Sequence, residues 1–252
     1  AGLLHAHEQY GSLSLLKVIN PAIKLARDGI IVSVDLSSSL ASRAKRLGKN
    51  KASKGYFYKA NGDLYLPGET LSQTDLASTL KRIRTDGRSG FYQGKTADLI
   101  VSEMQRSGGL ISSADLKNYR VVTRQPVCGE YRDNTVCAMP PPSSGGVHLV
   151  QMLNMLEGWD LKALGHNSAA YIHRLVEVMR RAYADRSAYL GDPDYYAVPV
   201  SQIINKDYAA SLRAGIDLSK ASVSSTIEPG LNIDVDSLSK RREAASKESV
   251  ET

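Results

Sequence analysis

Five histidines, two cysteines and one serine–glycine run are the residues whose chemistry can be weighed first in this 252-residue sequence. His5, His7, His148, His166 and His173 stand apart from any Ser or Cys nucleophile signature of the GxSxG kind, so none is placed as the base of a hydrolytic triad. His148 and His173 fall in helical patterns, where a packed or surface histidine is the plain alternative to a catalytic base. Ser143-Ser144-Gly145-Gly146 opens a helix, where backbone N–H groups can bind an anion or an oxyanion. The other reading is that the prolines before it pin the helix in place. Cys128 and Cys137 have neither CxxC spacing nor a histidine pair, which argues against zinc. Counting outward from a turn on Arg132-Asp133 sets Tyr131 against Asn134 and Cys128 against Cys137, at a non-hydrogen-bonded position where a disulfide is geometrically possible. A register shifted by one leaves two buried thiols instead. A bridge favours an oxidising compartment. The chain closes on Glu248-Ser249-Val250-Glu251-Thr252, where by residue type alone Thr252 is the end of a polar tail.

The elements that must hold these residues read as mostly helical. Ser12 caps a short apolar turn, and Asn20-Pro21 restart a helix carrying Ile23, Leu25 and Ala26 that stops at Asp28-Gly29. Leu36, Leu40, Ala44 and Leu47 recur at helical spacing up to Gly48. Tyr56-Phe57-Tyr58 and Leu64-Tyr65-Leu66 flank Asn61-Gly62, which predicts a hairpin. Ser72 with Asp75 and Ser112 with Asp115 have capping-box spacing; the first opens a helix running to near Gly87, and residues 96–105 predict another stopped by Gly108-Gly109. Residues 119–122 and 127–138 read as extended, the latter as a second hairpin. Beyond Pro140-Pro141-Pro142 an apolar helix reaches Leu156, and Asn167 or Ser168 opens a longer one through Leu175, Val178 and Ala182, ended by Gly191-Asp192-Pro193. Residues 226–252 are rich in Ser, Lys, Arg and Glu without a sustained period. They read as a polar linker following a helix-rich α+β portion, residues 1–225, of one domain.

Composition narrows the class. With 42% hydrophobic and 23% charged residues the chain is an ordinary globular protein, which excludes collagen-like, fibrous and wholly disordered readings. Its 32 Lys and Arg against 26 Asp and Glu leave +6, distributed over 45–54, 81–88 and 240–242 among polar and acidic residues. That pattern fits solvated helix faces. No aromatic-and-basic stripe points to nucleic acid, since there are two Phe, one Trp and 13 scattered Tyr. The best apolar stretch, residues 147–156, is short of the roughly 20 residues of a membrane span and is broken by His148, Gln151 and Asn154. The sequence opens on Ala1 without a signal-peptide pattern, so any targeting segment is expected outside it.

Two long motifs then carry a family resemblance: MPPPSSGGVHLVQMLNMLEGWDL at 139–161 and RAYADRSAYLGDPDY at 181–195. NPAIKLARDG at 20–29, GGLISSADLKNY at 108–119 and SSTIEPG at 224–230 fall in the same order. The whole chain resembles the C-terminal part of the γ-glutamyltranspeptidase large subunit. The resemblance implies an N-terminal nucleophile hydrolase, a four-layer αββα sandwich of which this chain supplies helical outer layers and part of the sheet. It implies one precursor that cuts itself into a large and a small subunit, directly before a Thr. Glu251 and Thr252 match that junction, which makes Thr252 the nucleophile that forms a γ-glutamyl ester with glutathione or a related amide, resolved by water or by an amino-acid or peptide amine. It implies no metal or organic cofactor, a small subunit from the same precursor as partner, and a periplasmic or secreted location. The family's arginine for the substrate α-carboxylate falls before Ala1, and its other glutamate-binding groups and oxyanion donors fall after Thr252, so the chain by itself is expected to be inactive.

Two rival readings stay open. A sibling acylase of the same fold acts on another amide, such as a cephalosporin side chain or poly-γ-glutamate. A non-enzymatic interaction chain binds a partner or an anionic surface through its basic helices, independently of Thr252 and more weakly as salt rises.

Overall fold

The computed structural model describes residues 1–233. The chain divides into two compact units, Ala1–Val122 and Thr123–Thr252, each built around its own helices.

The first unit holds α1 (Gly2–Tyr10), α2 (Leu15–Asp28), α3 (Val34–Leu47), α4 (Lys51–Phe57), α5 (Thr74–Asp86), α6 (Ser89–Tyr92), α7 (Gly94–Ser107) and α8 (Ser113–Asn118). A short antiparallel pair joins β1 (Ile30–Ile31) to β2 (Thr70–Leu71). Ser14 caps α2, accepting from the Lys17 N–H at 3.4 Å, and the helix continues through Pro21 instead of restarting there. The proline costs about 3 kcal/mol locally. Packing of α2 on α5, with Ile23 and Ala26 buried, opposes that cost. Gly29 ends α2 at φ 94°, where a Cβ would lie 2.4 Å from the Thr70 methyl, so only glycine lets the chain turn into β1.

Two local expectations are corrected here. Residues 56–58 do not form the first strand of a hairpin: Asn50 caps α4 through the Ser53 N–H, the helix takes Tyr56 and Phe57, and only an isolated bridge joins Tyr58 to Leu64. The Asn61-Gly62 turn itself forms, with Gly62 at φ 90°. The capping box at Ser72 is absent because Asp75 accepts from the Tyr56 hydroxyl at 2.7 Å instead, and α5 begins at Thr74. The second box is present, with Ser112 and Asp115 exchanging hydrogen bonds at the start of α8.

The second unit begins with the hairpin β3 (Val127–Tyr131) and β4 (Asn134–Ala138), followed by α9 (Gly145–Leu156), α10 (Ala169–Tyr189), α11 (Val200–Ile203) and α12 (Lys206–Ala214). The hairpin lies on α9, and α10 and α12 also pack against α9. Gly129 permits the first contact, since a Cβ there would lie 2.4 Å from a methyl of Val150. One core joins Met155, Leu156, Val178, Ala182, Ala209 and Ile216; a second joins Val127, Val147, Val150, Tyr189 and Ile203. Both cores are lined by α9, which supplies Met155 and Leu156 to the first and Val147 and Val150 to the second. Met155 is fully buried. Replacing it by Ala leaves a cavity, and Met155→Ala is expected to lower the unfolding free energy by about 3 kcal/mol in denaturant titration of the whole protein, with the slope unchanged.

Candidate functional site

Glu251 and Thr252 lie outside the described residues. Within the described residues, α10 carries two buried carboxylates that take hold of the segment after α12.

The first is Glu177, whose side chain is 1% exposed. It accepts from Arg180 Nη1 at 2.6 Å, Arg181 Nη1 at 2.8 Å, the Ser222 N–H at 2.9 Å and the Ser222 hydroxyl at 2.6 Å. The arginines extend the hold: Arg180 Nη1 donates to the Ser222 carbonyl at 2.6 Å and Arg181 Nη2 to the Gly215 carbonyl at 2.6 Å. Burial pushes the Glu177 carboxyl up, but the two bonds from Ser222 and those from Arg181 and Arg180 outweigh it and hold the group at about 2.

The second is Asp185, 1% exposed, two helical turns further on. It accepts from Gln151 Nε2 of α9 at 2.5 Å, the Tyr208 hydroxyl of α12 at 2.6 Å and the Gly230 N–H at 2.8 Å. Burial, followed by donation to Asp185, raises the Tyr208 hydroxyl above its ordinary value and keeps it protonated. One turn on, the Tyr189 hydroxyl donates to the Leu231 carbonyl at 2.6 Å. Gly230 fits because it has no side chain: a Cβ would lie 2.6 Å from both the Tyr208 oxygen and Leu212 Cδ2. Each carboxylate thus holds backbone of the segment after α12, Glu177 at the Ser222 N–H and Asp185 at the Gly230 N–H. Sequence reading passed over them; the available signal was a pair of acids eight residues apart on the side of a helix that also carries Val178 and Ala182.

The serine–glycine run is tied into its own loop. The Ser143 N–H donates to the Pro140 carbonyl at 3.1 Å, the Gly145 N–H to Ser143 Oγ at 3.2 Å and the Gly146 N–H to the Met139 carbonyl at 3.0 Å. A Cβ at Gly146 would lie 2.4 Å from that same carbonyl oxygen. Of the two readings of this run, the structure therefore supports the one in which the loop pins α9, since two of the amides that would cradle an oxyanion are already engaged. Two of the histidines serve structure: His173 Nε2 bonds the Asp217 carbonyl at 2.8 Å and His7 Nε2 the Leu13 carbonyl at 2.7 Å. Among the described residues no cluster of three His, Cys, Asp or Glu is arranged to hold a metal ion.

In the hairpin, Tyr131 faces Asn134 and Cys128 faces Cys137 across the turn at Arg132-Asp133, and the two sulfurs are bonded. The Cα atoms of the cysteines are 4.1 Å apart, the close approach of a non-hydrogen-bonded pair. Arg132 sits at φ 54°, the conformation a two-residue hairpin turn requires, and its N–H donates to Glu157 at 2.7 Å.

The Glu177 geometry sets an acid limb. Its folded value near 2 lies below the ordinary 4.5, so its stabilisation is complete above pH 4.5 and is lost as pH falls from there toward 2. The shift corresponds to about 3 kcal/mol. Glu177→Gln is expected to be less stable than wild type at pH 7 and to lose less stability between pH 4.5 and 2, as read from denaturant midpoints; parallel curves for the two proteins would refute the assignment.

The described geometry thus anchors the segment up to Leu231 on α10, and comparison with known proteins shows the family. The family model described as Gamma-glutamyltranspeptidase matches residues 1–250. The chain is 46% identical over 231 residues to a glutathione hydrolase proenzyme of Escherichia coli K12, covering 91% of this chain and 40% of that protein. It is 40% identical over 220 residues to the acylase ACY 1 proenzyme of a Pseudomonas strain, V22, covering 87% of this chain and 39% of that protein. The crystal structure of Helicobacter pylori gamma-glutamyltranspeptidase superimposes with a TM-score of 0.87 at 44% identity, over 92% of this chain and 66% of that one. The chain spans about 40% of the length of the two proenzymes. With nearly every residue inside the family model and the fold shared as well, the chain belongs to the γ-glutamyltranspeptidase family.

Proposed function

We propose that this chain is the C-terminal part of the large subunit of a γ-glutamyl transferase or glutathione hydrolase, and that residues 226–252 lead from its folded portion to the self-cleavage junction. The observation that carries the reading is the 46% identity over 231 residues to a glutathione hydrolase proenzyme. Thr252 is the nucleophile. Its hydroxyl is weak at neutral pH and needs a base, and an α-amine with a pKa near 8 on the same residue supplies one. In the precursor that amine is locked in the Glu251–Thr252 peptide bond. Attack of the Thr252 hydroxyl on the Glu251 carbonyl forms an ester and frees the amine, and water then cleaves the ester, leaving the large subunit with a carboxylate at Glu251. The freed residue next attacks a γ-glutamyl amide such as glutathione, expels the amine, and passes the γ-glutamyl group to water or to an amino-acid or peptide amine. The small subunit from the same precursor completes the αββα sandwich and the substrate contacts. A periplasmic or secreted setting agrees with the Cys128–Cys137 bridge.

Intact mass and N-terminal sequencing of the full-length precursor test this. Wild type is expected to yield a new chain beginning at Thr252, and Thr252→Ala to stay whole; cleavage of both elsewhere, or of neither, removes Thr252 from the mechanism. The 40% identity to an acylase proenzyme supports a second reading of the substrate. Cleavage of γ-glutamyl anilide and not glutaryl anilide by the complete protein favours the first reading, and the reverse preference favours the second.

A further inference from the structure

We propose that a groove at the N-terminal end of α9 binds a small carboxylate that carries an apolar tail. The groove has a volume of about 510 Å³ and lies between the first turns of α9 and the C-terminal half of α10. That is within the range of ~300–1,000 Å³ usual for small-molecule sites. Its two ends differ in chemistry. Leu149, Met152 and the ring of Tyr183 form an apolar wall, and Tyr183 and Leu149 are 52% and 37% exposed. Arg186 and Ser144 form a polar end that contains a cation and no acid.

Four details of the polar end point to an anionic ligand. Arg186 Nε donates to Ser144 Oγ at 3.0 Å, which fixes the guanidinium against the helix start. Among the described residues its two Nη groups make no hydrogen bond, so the fork that grips a carboxylate bidentately is free. Because Ser144 Oγ is the acceptor in that bond, its own O–H remains available to donate. Asp185, next to Arg186 in sequence, accepts from Gln151, Tyr208 and Gly230 and among the described residues makes no hydrogen bond to the arginine.

The independent observation is His148. Its imidazole forms part of the wall, is 7% exposed and packs edge-on against Tyr183 with ring centroids 4.5 Å apart. Its Nε2 has no hydrogen-bond partner among the described residues. A buried ring nitrogen without a partner costs about 1–3 kcal/mol, and such groups are uncommon enough to call for a ligand or water. Burial, and then the Arg186 charge, hold the His148 imidazole below its ordinary value and neutral, leaving Arg186 as the full charge at the site. The helix dipole of the 12-residue α9 adds to it in the same sense.

The test uses the full-length protein and two isosteric probes, 4-phenylbutyrate and its uncharged amide, in calorimetric titration. The acid is expected to bind with a dissociation constant of ~1 mM and the amide at least tenfold more weakly. Arg186→Gln is expected to weaken the acid at least tenfold and leave the amide unchanged, whereas Met152→Ala weakens both. Ser144→Ala, which leaves Arg186 in place, serves as the milder variant if Arg186→Gln does not fold; it is expected to weaken the acid severalfold. Binding of the acid should persist in the uncleaved Thr252→Ala precursor, so the site stands or falls independently of the nucleophile. Absence of saturable binding, equal binding of acid and amide, or loss of binding in Thr252→Ala would overturn the proposal.

Discussion

A carboxylate taken out of water has to be surrounded by donors, and α10 carries two of them to its packed side. Most of what shapes the second unit follows from how Glu177 and Asp185 are satisfied. Neither is served by its own helix alone. Glu177 reaches Ser222, and Asp185 reaches Gln151 on α9, Tyr208 on α12 and Gly230. The two acids are eight residues apart, about 12 Å along a helix, and so are Ser222 and Gly230. Eight extended residues could cover about 26 Å. The slack between the anchors is taken up in part by a 3-10 turn at Ser224–Thr226, so the segment is folded against the helix rather than stretched along it.

This gives the described residues a division of labour. They contain no nucleophile with a base at its side, and their strongest polar networks are fully occupied in holding backbone. What α9 and α10 supply is a packed pair of helices to which the segment after α12 is tied. The hairpin is held in a similar way: its disulfide and positive-φ turn fix β3 to β4, and the bond from Arg132 to Glu157 fixes that small sheet to the end of α9.

How much of this could be read beforehand depended on whether the signal was local. The hairpin at 127–138 could be counted out residue by residue because a two-residue turn determines every pair beyond it. Helix ends marked by Gly48, Gly108 or a serine cap were legible for the same reason. Pro21 misled because the packing of α2 on α5 is a tertiary fact, and Tyr56-Phe57-Tyr58 misled because aromatic residues suit a strand while the Asn50 cap commits most of them to α4. Asp75 was claimed by Tyr56, nineteen residues away, and not by its own helix start. The carboxylate holds were invisible for a related reason, since their partners outside α10 lie 23 to 45 residues away in sequence. The reading of Glu251–Thr252 as a junction rests on family likeness and lies outside the described residues, because a threonine at the end of a polar run has no pattern of its own.

The triple hold on Asp185 also bears on how this part of the chain can vary. Gln151, Tyr208 and Gly230 converge on one pair of oxygens, so the loss of any one donor changes what the others contribute. Substitutions among these positions therefore combine non-additively. A sequence drifting here can change Asp185 safely only by changing its partners in the same lineage, which turns four positions on four different segments into a single unit of inheritance.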